Sequence, residues 1–288
     1  NAITYKDIFL SLPGVLHLKK LVIQENVGNH IVMSLQAIMN AELDDYAFYD
    51  LPETISLNYF QNNQEKILFK GVISSAVLKK DGGNRIIEIV ASDATYWMDI
   101  DRKTRCFQNI EKTVSEVIAE IMKGYGESDS LCNIPDRPIG ELIFQYEETD
   151  WEFLKRFLSK YNESLYPAAT FETIHFQAGI ATQNEDVNWD YYPYQKNKDF
   201  SRLAYLSKNG FTELLPAQFT FYRLENHDVV ALGSQIRYKG NLLYVSRIKR
   251  ELNNGLLFNT YELKQKEAML IERFYNSRLT GISQYATV

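Results

Sequence analysis

Residues 67–93 read ILFKGVISSAVLKKDGGNRIIEIVASD, two runs rich in Ile, Leu and Val around Asp81-Gly82-Gly83-Asn84. Gly and Asn accept the positive φ of a tight two-residue turn, so the stretch predicts a long β-hairpin.

Strand patterns fill the first hundred residues on either side of this hairpin. In TISLNYF (54–60), Ile55, Leu57 and Tyr59 alternate with polar neighbours, and HIVMSLQAIM (30–39) puts Ile31, Met33, Leu35, Ala37 and Met39 on one side. From 171 onward strands resume in FETIHFQA, AQFTFYRL, SQIRYKG, NLLYVSRIKREL and GLLFNTYELKQ, and Asn253-Asn254-Gly255 predicts a second hairpin between the last two. The stretches 68–92 and 237–263 then look like copies of one unit. Each shows an aromatic-Lys-Gly triplet (Phe69-Lys70-Gly71 and Tyr238-Lys239-Gly240), read as a turn, then a strand, a glycine-containing turn and another strand.

Between the strand-rich parts the pattern turns helical. In KTVSEVIAEIMKGYG (112–126), Val114, Val117, Ile118 and Ile121 share a face, Thr113 and Glu116 have capping-box spacing, and Gly124 is expected at the left-handed C′ position. NIPDRPIG (133–140) is an irregular connection and ELIFQYE (141–147) a short strand. Next, QYEETDWEFLKRFLSKYN (145–162) carries three carboxylates beside a tryptophan. Neighbouring carboxylates in extended chain point to opposite faces and do not converge on one bond. Thr149 and Glu152 instead have capping-box spacing, Asp150 sits at the positive end of the helix dipole, and Trp151, Leu154, Phe157, Leu158 and Tyr161 form an apolar stripe. The acidic cluster therefore reads as helix initiation.

The chain has 288 residues, 45% of them apolar, enough for one large or two to three ordinary domains. Its net charge of −6, without long like-charged blocks, argues against a nucleic-acid binder. No apolar run is long enough to span a bilayer, so stable membrane insertion is not expected. Cys106 and Cys132 are far apart in sequence and read as ordinary thiols of a reducing compartment. The N-terminal Asn1-Ala2, without a methionine, reads as a scar outside the fold, and IERFYNSRLTGISQYATV stops on an apparent strand, with the protein expected to continue beyond Val288.

Candidate chemistry is sparse. His17, His30, His175 and His227 stand alone, without metal-ligand spacing, and no metal or cofactor is expected. Gly124-x-Gly126 lacks the third glycine and the strand-to-helix context of a dinucleotide fingerprint, and no nucleophile elbow or Walker sequence occurs. Asn162-Glu163-Ser164 matches a glycosylation acceptor by chance. NWDYYPYQKN (188–197) gathers Trp189, Tyr191, Tyr192 and Tyr194, either a stacking platform for a glycan or receptor or the packing of an inter-domain connection. Nothing points to catalysis.

The ordered segments carry a resemblance. FQYEETDWEFLKRFLSKYN resembles the glutamine, acidic residues, Thr-Asp-Trp-x-Phe-Leu and amphipathic helix of the hub proteins of contractile injection machines, the family of phage gpD and type VI VgrG. The upstream helix ending at Tyr-Gly and HDVVALGSQIRYKGNLLYVSRI (227–248) are similar to other segments of that family, in the right order. NESLYPAATFE departs from it, lacking a glycine-rich turn after the helix. The resemblance implies an α+β, mainly β chain. Its parts would be a tube-protein-like β-barrel over 3–100, a helix-containing insert over 101–168, a second such barrel over 169–272, and a connector over 273–288 to a downstream spike or oligonucleotide-binding-type domain. Thr149, Asp150, Trp151, Glu152, Phe153 and Leu154 would be its structural motif. A homotrimer is implied, assembled in the bacterial cytoplasm into a tail baseplate, with the tail tube protein, a spike tip and other baseplate proteins as partners, and no catalytic role.

Overall fold

The computed structural model describes residues 2–40, 46–181 and 184–281. Asn1 of the scar expected at Asn1-Ala2 and the closing residues 282–288 lie outside them, while Ala2 is described and exposed.

The fold is mainly β. The first part holds β1 (Ile8–Leu10), β2 (Val15–Asn26), β3 (Val32–Met39), a single turn α1 (Tyr46–Tyr49), β4 (Thr54–Gln61), β5 (Gln64–Asp81) and β6 (Asn84–Ser92). A 3-10 turn (Ala94–Asp99) leads into β7 (Lys103–Phe107), α2 (Val114–Met122), β8 (Asp129–Cys132), β9 (Ile143–Glu148), α3 (Asp150–Ser159), β10 (Leu165–Pro167) and β11 (His175–Ala178). The last part holds β12 (Tyr194–Lys198), α4 (Phe200–Lys208), β13 (Thr220–Asn226), β14 (Gln235–Tyr238), β15 (Asn241–Asn253) and β16 (Leu256–Lys264).

Eleven strands make one sheet in the order β1-β4-β5-β6-β3-β2-β15-β16-β13-β12, with β14 also on β15. Within it one topology occurs twice. β2 pairs β3, β3 pairs β6, β6 pairs β5 and β5 pairs β4; likewise β12 pairs β13, β13 pairs β16, β16 pairs β15 and β15 pairs β14, all antiparallel. The repeat reaches fine detail. In β5 the register shifts at Ser74, whose hydroxyl donates to Val90 O at 3.1 Å; in β15 it shifts at Ser246, whose hydroxyl donates to Glu262 O at 3.1 Å. Each bulged serine stands the same distance ahead of its hairpin turn. Both turns have two residues of positive φ, Gly82 (54°) with Gly83 (89°) and Asn254 (48°) with Gly255 (77°), as a turn matching the strand twist requires.

This alignment corrects the sequence reading of the repeat. Lys239-Gly240 is indeed a turn (φ 48° and 77°), but Phe69-Lys70-Gly71 lies inside β5, where a Cβ on Gly71 would meet Ser92 O at 2.2 Å. The two triplets are therefore not counterparts: one glycine serves a turn and the other a close approach of backbone. Three further expectations shift. α2 does end near Gly124, but the chain continues as a 3-10 turn to Tyr125, and Gly126 (φ 64°) takes the positive-φ position. FETIHFQA is strand only from His175. Where only strands were expected, α4 forms, capped by Asp199, whose side chain accepts from Arg202 N–H at 2.9 Å.

The cores follow the sequence patterns. Leu21, Ile23, Met33, Leu35, Leu57, Phe69, Ile87 and Ile89 pack under the first strands; Val114, Val117, Ile118 and Ile121 pack against α3; Trp189, Leu224, Tyr238, Val245, Ile248, Tyr261 and Leu263 fill the last part. No helix among the described residues is long and apolar enough to cross a membrane.

Candidate functional site

The expected motif, Thr149–Leu154, lies at the start of α3 between the small sheets β7-β9 and β8-β11-β10. The capping box forms: Glu152 N–H donates to Thr149 Oγ1 at 3.0 Å, and Thr149 N–H donates to Glu152 Oε2 at 3.1 Å. Thr149 Oγ1 also donates to Asp99, and the Arg102 guanidinium grips both Glu152 oxygens at 3.0 and 3.2 Å.

Asp150 does more than start a helix. Its carboxylate is fully buried and accepts from Lys103 Nζ (2.7 Å), Tyr125 OH (2.6 Å), Gln145 Nε2 (3.0 Å) and Arg105. Burial alone would push its pKa up; the bonds from Lys103, Tyr125 and Gln145 with the charge of Arg105 hold it below the usual aspartate value. The same burial, together with Asp150, pushes the Tyr125 phenol upward. The carboxylate thus ties α3 to β7, to the turn after α2 and to β9. A second pair runs alongside, Glu148 to Arg156 at 2.6 and 2.7 Å, with Arg156 also donating to Phe144 O. The three carboxylates do not converge: Glu148 and Asp150 take separate partners, and Glu147 (φ 47°) uses its carbonyl, which accepts from Arg102 and Arg278.

The motif's apolar members are buried on both sides of α3. Trp151 packs at a tilt on His30, centroids 4.7 Å apart, and meets Phe176 edge-on; Phe153 stacks between Phe107 and Phe157; Leu154 is wholly enclosed. His30 sits in the β2–β3 connection, so Trp151 joins the helical part to the first strands. Its ring nitrogens face Thr95 Oγ1 at 2.7 Å and Asp99 at 3.4 Å, and burial lowers its pKa. Asp93 beside it accepts from Ile31 N–H, Thr95 N–H and Thr95 Oγ1; burial raises its pKa to about 6 against those bonds. A hydroxyl, an imidazole and a carboxylate in sequence superficially match a nucleophilic triad, but Thr95 is fully enclosed and can meet no substrate.

A buried cluster that sequence reading missed joins the two repeated strand sets. Arg250 on β15 pairs with Glu25 on β2 at 2.6 Å and also donates to Asn259 Oδ1, Tyr261 OH and Val230 O. The partners lie 225 residues apart in sequence, so no local pattern could announce them.

The aromatic cluster divides. Trp189 is buried and its indole N–H donates to Asp228 at 2.8 Å, Tyr191 is 78% exposed, and Tyr194 opens β12 against Tyr222 and Tyr238. The residues do not form one stacking face. Among the described residues, no His, Cys, Asp and Glu group is arranged to hold a metal ion.

What is built here is a rigid joint between a helical part and two strand units. The fold is shared with known proteins. A solved Escherichia coli component of the type VI secretion system, described as similar to the T4 tail proteins gp27 and gp5, superposes with a TM-score of 0.65 at 12% identity, covering 93% of this chain and 79% of that one. A 43 kDa prophage tail protein from Shewanella oneidensis gives 0.64 at 12% identity, covering 93% and 99%. The Francisella PdpA–VgrG complex gives 0.52 at 12% identity, covering 91% of this chain and 50% of that one. The shared fold is thus that of tail and secretion-spike proteins. Residues 24–166 match the family described as phage tail baseplate hub (GPD). The resemblance to the gpD and VgrG hub proteins is borne out by this match and by the shared fold. No curated protein matches the sequence.

Proposed function

We propose that this protein is a structural subunit of the baseplate hub of a contractile injection system, a phage tail, tailocin or type VI-like machine, in which three copies join a sixfold tail tube to a threefold spike. The observation that carries this reading is the repeated strand topology with its matching bulged serines. A chain with two copies of one unit lets a threefold assembly offer six similar units to a sixfold partner.

In this reading residues 3–100 and 169–272 are the two tube-like barrels, 101–168 the insert, locked internally by Asp150 and braced against both through Trp151, and 273–288 the connector toward the spike. The work is done by fit between surfaces, without bond chemistry, and assembly takes place in the bacterial cytoplasm before the tail is complete.

Light scattering and negative-stain imaging of the full-length protein with its tube and spike partners test the proposal. Threefold rings that bind the tube protein are expected; a persistent monomer that does neither sinks it.

A further inference from the structure

Beyond Ala268, which is buried, the chain runs on to Gly281 without a buried residue. At the near end Arg202 of α4 donates to Leu270 O at 2.7 Å and pairs with Glu272 at 3.2 Å, which fixes the segment to the second strand unit. From there it crosses to the insert. Phe274 N–H donates to Ser159 Oγ at 2.8 Å, Asn276 Nδ2 to Tyr146 O at 2.8 Å and Arg278 Nη1 to Glu147 O at 2.8 Å, so every second residue is tied to α3 or β9.

The insert is shaped to receive these bonds. β7 and β9 pair Lys103 with Glu148 and Arg105 with Gln145, so Tyr146 and Glu147 both stand against Thr104 in a bulge. The carbonyls of these two bulge residues are the ones that accept from the segment. Ser159, fully buried at the end of α3, donates its own proton to Arg156 O and so offers a lone pair to Phe274 N–H. Packing adds little beneath. A cavity of about 650 Å³ remains between the segment and Ile143, Phe144, Phe157 and Lys160, and Tyr275 is 78% exposed.

We propose that residues 273–280 are a strap that peels from the insert while both strand units stay folded, hinged at Leu270–Glu272 on α4. Its hold is three hydrogen bonds at a surface that water reaches, each weak in net terms, with no buried side chain to expose. Its ion pair to the insert, Arg273 with Glu141 at 3.4 Å, is half exposed on both sides and adds little. Asn276 also accepts from Arg278 N–H at 2.9 Å and so caps the 3-10 turn Ser277–Leu279; one side chain holds both the strap and its turn. Released and fully extended, the strap spans roughly 27 Å. In the hub reading, on which this consequence alone rests, the insert rather than the second barrel sets the resting direction of the chain toward the spike, and the link lengthens under load.

Native-state hydrogen exchange of the full-length protein tests the strap. The Phe274 amide is expected to be protected at least about tenfold over an unstructured amide, yet to exchange at least about a hundredfold faster than the Ile248 and Tyr261 amides of the β15–β16 ladder, which open only with the whole unit. Asn276→Ala with Arg278→Ala should speed Phe274 exchange about tenfold or more and leave Ile248 and Tyr261 unchanged. An unprotected Phe274 amide, or a double variant without effect on it, overturns the proposal because these bonds then close no strap. A Phe274 amide as slow as the ladder, or a double variant that speeds the ladder as well, overturns it because the segment then opens only with the core. Ring formation with the tube and spike partners is read separately, so the strap can fail while the hub reading stands, and the reverse.

Discussion

The two strand units share topology, turn and bulge, yet their cores differ in kind. At matched positions the first unit has Ile89, Ile87, Ala37 and Leu78 where the second has Tyr261, Asn259, Asn226 and Arg250. All of the second set are buried. Strand order is therefore set by pairing and turn chemistry that the units share, while the core is free to change from aliphatic to polar, provided its polar groups find partners. The second unit spends that freedom on the seam: Arg250 reaches Glu25 of the first.

If the polar core is tied to the seam, the most damaging change is Arg250→Met. It leaves Glu25 buried without its cation and removes the donor to Asn259, Tyr261 and Val230 O, a loss of about 3–5 kcal/mol in denaturant unfolding. Arg250→Leu with Glu25→Leu, which imitates Leu78 of the first unit, should recover most of it; failure to recover would show that the hydrogen bonds to Asn259 and Tyr261 matter more than the ion pair.

Asp150→Asn ranks next, at about 2–3 kcal/mol, because charge-assisted bonds are lost but Lys103 and Arg105 can turn toward water. Asp150 has a lowered pKa, so its contribution is present above about pH 4 and is lost as pH falls through the lower folded value. The stability gap between the unmodified protein and this variant should therefore be largest above about pH 4 and close as pH falls below it.

Asp93 behaves in the opposite sense. With a folded pKa of about 6 it binds its proton more tightly folded than unfolded, so its contribution rises as pH falls from 6 toward 4 and is lost as pH rises through 6. His30, lowered by burial, works against this in the same range. The stability difference between the unmodified protein and Asp93→Asn should therefore be followed from pH 4 to 7, since His30 is common to both; a difference independent of pH would refute the assignment.

The smallest effect compares the bulges directly. Ser246→Ala should cost about 1 kcal/mol and Ser74→Ala close to nothing, since Ser246 is buried and Ser74 is exposed to water that replaces the bond. Equal costs would mean that the bond shapes the bulge independently of burial.

Much of this architecture was legible from local chemistry. Gly82-Gly83 and Asn254-Gly255 announce hairpins because few residues accept positive φ, and Thr113/Glu116 and Thr149/Glu152 announce helix starts because the spacing itself makes the bonds. Asn62-Asn63 (φ 53° and 59°) makes the β4–β5 turn without a glycine and so gave a weaker signal. α4 escaped because only Leu206 of its nine residues is fully buried, leaving no apolar stripe to count, and β12 escaped because it is an edge strand with almost no buried face. Of the site, the motif residues were visible but the role of Asp150 was not. Lys103, Arg105 and Tyr125 lie 47, 45 and 25 residues away, and only the fold brings them together.

The β2–β15 seam also has a consequence in time. The chain path from one unit to the other runs through the whole insert, so the contact of Glu25 with Arg250 closes a loop of 225 residues. Contacts of that span form late, after the chain entropy between them has been reduced by local folding. During synthesis β15 emerges some two hundred residues after β2, so the β2 edge waits unpaired while they are made. The nascent chain's greatest hazard is therefore a premature partner for β2, and slow folding with early aggregation should trace to that edge.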